Sequence, residues 1–145
     1  MSGLLNGPGS KSRNIGSIPA FAASTTNAPS SSGYVTFQTT RFDTTGDYNN
    51  STGEYKIPQS GIWSIGLKAN MIGSNTWYLR KDGTSIFAYQ FDTSNAVNSG
   101  WFSADAAALF DLEAGAIMRI HLTYNGTNWD ANTWNFFYGH LVTSY

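Results

Sequence analysis

Cysteine is absent from the chain, so neither disulfides nor thiolate zinc sites can hold it together. Charge is scarce as well. Asp, Glu, Lys and Arg make up 12% of its 145 residues, about half the usual share. The basic residues are scattered and the net charge is -1. No basic stripe exists to neutralise phosphates, so nucleic acid is not an expected partner. No apolar run approaches the roughly 20 residues of a membrane-spanning helix, so no membrane partner is expected. The opening Met1-Ser2-Gly3-Leu4-Leu5 lacks the basic start and apolar stretch of a secretory signal. Export by that route is not expected, whereas assembly into a virus particle would fit both observations.

What is present is aromatic and neutral-polar. Aromatics are 15% and hydrophobic residues 41%, enough for one β domain with its own core. A small β domain without staples points to oligomerisation as the stabiliser. The chain divides in two. Residues 1–18 are broken by Gly3, Gly7, Pro8, Gly9 and Gly16, and no period runs through them. Leu4, Leu5, Ile15 and Ile18 are isolated apolar residues there, and Lys11 and Arg13 add charge. Such a segment reads either as a tail or as an extended arm that orders on a partner surface. Residues 19–145 are the head.

In the head, short strand patterns alternate with turn signals. Trp63, Ile65, Leu67, Ala69 and Met71 alternate with Ser64, Gly66, Lys68 and Asn70, the period of a half-buried strand. Asp82-Gly83 between β-formers predicts a two-residue hairpin, because both residues accept positive φ. Residues 102–112 predict a strand, as do Met118, Ile120 and Leu122 alternating with Arg119 and His121. Trp134, Phe136, Phe137, Tyr138 and Leu141 close the chain. The fold class is all-β, a sandwich or jelly roll.

Several blocks carry a resemblance. Tyr48-Asn49, Thr52-Gly53-Glu54-Tyr55, Pro58-Gln59-Ser60-Gly61-Ile62-Trp63, Lys81-Asp82-Gly83 and Phe136-Phe137-Tyr138-Gly139-His140-Leu141 follow one another in order. They resemble the globular head of complement C1q and its tumour necrosis factor relatives. That resemblance implies a ten-strand jelly roll, a homotrimer and a binding role without catalysis. It also implies that the strand over 102–112 and the terminal strands lie towards the three-fold axis. Ala106, Ala108, Phe110, Trp134, Phe136 and Tyr138 are then the expected trimer contacts, since a sheet buried on both faces loses its polar alternation. Separately, Lys11-Ser12-Arg13-Asn14-Ile15-Gly16 resembles an opening found in small structural proteins of tailed bacteriophages.

An enzyme is not expected. There are two histidines, no Gly-x-Ser-x-Gly elbow and no His-Glu-x-x-His. Carboxylate pairs such as Asp43 with Asp47, or Asp111 with Glu113, arise often by spacing alone. No cofactor and no metal is expected, because aspartates in turns usually make local turn bonds. Trp77 and Trp129 are candidate ligand-loop aromatics, since a ring beside amides suits a sugar. Three readings follow. The first is a trimeric capsid decoration protein on the virion surface, its arm gripping the major capsid protein of a phage shell through Leu4, Leu5, Lys11, Arg13, Ile15 and Ile18. The second is a receptor-binding tip that takes host-surface glycan. The third is a lectin-like module.

Overall fold

A computed structural model describes residues 18–27, 29–71, 75–91, 102–124 and 135–145. The described residues form eleven strand segments: β1 (Ala20–Thr25), β2 (Gly33–Tyr34), β3 (Thr39–Asp43), β4 (Tyr48–Asn49), β5 (Glu54–Lys56), β6 (Gly61–Met71), β7 (Asn75–Lys81), β8 (Thr84–Phe91), β9 (Phe102–Leu112), β10 (Ile117–Thr123) and β11 (Asn135–Ser144). They make two antiparallel sheets. One runs β3-β1-β11-β6-β9, and the other runs β4-β5-β10-β7-β8 with β2 also paired to β10. The resemblance implied ten strands. The difference lies in how short pieces are divided, since β2 and β4 have two residues each.

Alternation builds the sandwich. Along β6, Trp63, Ile65, Leu67, Ala69 and Met71 point inward and are fully buried. Met118, Ile120 and Leu122 do the same from β10 across the gap. Aromatic rings fill one end of the core. Phe21 stacks on Tyr55 with centroids 3.8 Å apart and meets the edge of Phe137 at 4.9 Å. Trp63 packs on Tyr55 at 5.7 Å and donates its indole N–H to the Gln59 carbonyl. Each such ring removes about 150–250 Å² from water. Gly139 faces this packing, and any Cβ there would sit 2.6 Å from the Ile65 side chain and 2.9 Å from the Phe21 ring.

The turns obey local chemistry. Asp82 and Gly83 have φ of 49° and 83°, and they join β7 to β8 as the predicted hairpin. Asp43 accepts from the backbone N–H groups of Thr45, Gly46 and Tyr48. Both its oxygens are spent on the turn.

Registers fix the two ends of the sandwich. Ala20 pairs with His140 and Ser144 with Gly61. The start of β1 and the end of β11 therefore share one end. The Thr44 hydroxyl donates to the Ile18 carbonyl, and the Leu141 N–H donates to that of Pro19, which pins the chain where the head begins. At the other end Met71 pairs with Phe102, Asn75 with Phe91, and Thr25 with Asn135. The strands that bracket residues 72–74, 92–101 and 125–134 all terminate there.

Candidate functional site

Each sheet has an outward face, and the two differ in chemistry. On the five-stranded sheet, the register aligns Phe42, Ala22, Tyr138, Gly66 and Ala107 across all five strands. The next rows hold Ser24, Phe136, Lys68 and Asp105, then Ala20, His140, Ser64 and Leu109. Tyr138 lies across Gly66, where any Cβ would collide with its ring, and its hydroxyl donates to the Asp105 carboxylate two strands away. Burial, followed by that carboxylate, pushes the phenol well above its usual range. Phe42 is 52% exposed on one edge strand and Leu109 is 65% exposed on the other. This face, mixed in its middle rows, thus carries an exposed apolar side chain at both edges.

The six-stranded sheet presents cations and rings instead. Arg119 and His121 of β10 pair with Arg80 and Tyr78 of β7, and His121 also pairs with Tyr34 of β2. The Arg119 guanidinium lies 3.7 Å from the Tyr34 ring centroid, a contact worth about 0.5–1 kcal/mol when partly exposed. Arg119 is held from behind by Glu54 at 3.3 Å and by the Thr52 carbonyl at 2.7 Å. Arg80 donates to the Tyr34 hydroxyl at 3.4 Å and to Ser85. His121 meets Tyr34 edge-on at 5.4 Å, and its Nδ1 is buried with no hydrogen-bond partner. Burial and then the Arg80 charge hold its pKa below 6.5. A shallow groove of about 160 Å³, lined by Asn27, Pro29, Tyr34, Val35, Thr36 and Gln38, shares Tyr34 with this cluster. Among the described residues no group of three or more His, Asp or Glu could hold a metal ion.

Residues 20–142 match the family described as the C1q domain. The chain belongs to the C1q domain family. The globular domain of zebrafish complement 1qA protein has a similar structure, with a TM-score of 0.68 and 18% identity over 88% of this chain and 99% of that one. A search of curated proteins found no match. Members of the C1q family are typically binding or structural modules without catalytic activity.

In this C1q domain the sequence-predicted site residues separate into groups. Phe136 and Tyr138 do lie on the outward face of the five-stranded sheet. Ala106, Ala108 and Phe110 do not. They pair with the buried Leu67, Ile65 and Trp63 and so face into the sandwich, where Phe110 meets Phe87 at 5.9 Å. The outward residues of β9 are Asp105, Ala107, Leu109 and Asp111. Trp77 is no exposed platform. It sits inward on β7 between Asn75 and Leu79, fully buried in the core. Ile18 is exposed at the entry to β1. Leu4, Leu5, Lys11, Arg13, Ile15, Trp129 and Trp134 lie outside the described residues. The expectations missed Phe42, Leu109 and the Tyr34 cluster. Alternation out from Asp105 and Asp111 could have found Leu109. The cluster joins three strands distant in sequence and leaves no local signal.

Proposed function

We propose that this C1q domain is a non-catalytic binding and structural head that works as a homotrimer, joined through the outward face of the five-stranded sheet. The observation that carries the proposal is the pairing of exposed Phe42 and Leu109 at opposite edges of that face. A patch that is apolar at both ends suits a head-to-tail contact, in which the β3 edge of one copy meets the β9 edge of the next. Such contacts close into rings when the rotation allows, and three copies is the number that the family resemblance implies. Light scattering at micromolar concentration should give three times the chain mass. Leu109→Asp and Phe42→Asp should each yield monomers that keep the β circular-dichroism spectrum. A monomeric unmodified chain would remove the proposal.

The same head fits a virion-surface role, with residues 1–18 as the arm that grips a phage shell. Support comes from Lys11-Ser12-Arg13-Asn14-Ile15-Gly16 and from the isolated Leu4, Leu5, Ile15 and Ile18 in a Gly-rich segment. It comes also from the shared end of Ile18 and the C-terminal strand, opposite the strand ends that bracket 92–101 and 125–134. A chain beginning at Ser17 should still trimerise but no longer decorate purified empty capsids. If it binds shells as tightly as the full chain, a receptor-binding tip for host glycan becomes the better reading, and a few copies per particle rather than hundreds would agree with that.

A further inference from the structure

We infer that the Tyr34, Arg80, Arg119 and His121 cluster is a binding site for a carboxylate-bearing sugar, such as a hexuronate unit of an acidic polysaccharide. It lies on the six-stranded sheet, on the opposite side of the sandwich from the proposed trimer contact, so the inference does not depend on that contact. The two arginines and Glu54 leave a surplus of one positive charge at a single aromatic ring. A carboxylate supplies one negative charge, and guanidinium forks bind it through charge-assisted hydrogen bonds.

Division of labour within the cluster follows from the contacts. Arg119 is already fixed by Glu54 and the Thr52 carbonyl, so it positions Tyr34 and contributes field. Arg80 spends Nε on Ser85 and one amino group on Tyr34, and its remaining N–H groups are the donors for the ligand. Because the Tyr34 hydroxyl accepts from Arg80, its own proton is directed to another acceptor. The groove that shares Tyr34 brings Asn27 and Gln38 together with Pro29, the mixture of apolar surface and amides that receives a sugar ring and its hydroxyls. The acid of a sugar chain on Arg80 and a neighbouring unit in the groove would meet at Tyr34, the residue that both share.

His121 makes the site pH-sensitive. It faces Tyr34 from β2, Tyr78 and Arg80 from β7, and Arg119 on its own strand, while Glu54 of β5 is held by Arg119. When His121 gains a proton, a third cation joins the same face. Affinity for a carboxylate should therefore rise as the solution becomes mildly acidic.

The test is calorimetric titration of the full chain with tetragalacturonate, its methyl ester and inorganic phosphate. The free acid should bind at least tenfold more tightly than the ester. Arg80→Gln should cost about tenfold, whereas Lys56→Gln, on the same sheet but outside the cluster, should change little. Binding of the acid should strengthen as the pH falls below 6.5, and His121→Gln should remove that rise, whereas Lys56→Gln should keep it. Equal binding of acid and ester, or no binding of either, overturns the inference. Phosphate binding as well as the tetramer overturns the sugar part, because an anion alone would then suffice. An equal loss in Arg80→Gln and Lys56→Gln would mean general charge attraction and would overturn the site.

Discussion

Gly66 and Gly139 are mid-strand glycines, which ordinarily weaken a strand. Here each makes room for a ring on its own face of the sheet: Tyr138 outside, Phe21 inside. Neither use was legible in the sequence, because a missing side chain does not announce what fills its space. His121 was legible as an outward residue from its alternation with Met118, Ile120 and Leu122. Its surroundings were not, because Tyr34 and Arg80 arrive from other strands. Those surroundings give a prediction for stability without ligand. The folded-state pKa of His121 lies below 6.5, through burial first and Arg80 second. The unfolded chain then binds more protons in mild acid, so stability is fully present above pH 6.5 and falls as pH drops from there to the folded pKa. Urea midpoints at pH 7.5, 6.5 and 5.5 should show this fall, and His121→Gln should flatten it. An unchanged fall in the variant would place its cause elsewhere.

At the scale of elements, the β7–β8 hairpin was the clearest signal in the chain. Asp82-Gly83 demands positive φ twice, and little else satisfies that. The Asp82 carboxylate accepts the Ile117 N–H and its own N–H donates to the Ile117 carbonyl, which ties the turn to β10. A Cβ at Gly83 would meet only the Tyr34 hydroxyl, at 3.9 Å, so substitution there isolates backbone strain. Gly83→Val should destabilise the head by at least about 1–2 kcal/mol with no change in the folded spectrum, as read by urea denaturation. Strand β9 was legible as a strand but its faces were not. Alanine fits either side of a sheet, so Ala106, Ala107 and Ala108 hid the period. Asp105 and Asp111, both outward, are the markers that restore it and turn Leu109 out and Phe110 in. Trp77 misled for a different reason. Its neighbour Asn75 resembles loop chemistry, yet Asn75, Trp77 and Leu79 form the buried side of β7.

For the whole molecule, the two-sheet architecture followed from strand count and turn spacing, and the resemblance put the terminal strands and the strand over 102–112 in one sheet, as found. Assembly is where the energetics of the head should become visible. If the native state is a trimer and the unfolded state is not, mass action raises the melting temperature with concentration. Thermal scans across a hundredfold range of protein should show that rise, and Leu109→Asp should abolish it. The strand order has a consequence for synthesis as well. β11, the last described strand of the head in chain order, lies between β1 and β6 in the five-stranded sheet. Until β11 has emerged from the ribosome, the inner edges of β1 and β6, both lined with core residues, have no partner. That sheet can close only after every other strand of the head has been made, late by the standard of domains that fold from the N-terminus. Until then the polysome carries two open sheet edges, which makes chaperone cover and slow initiation matter more for this chain than its small size implies.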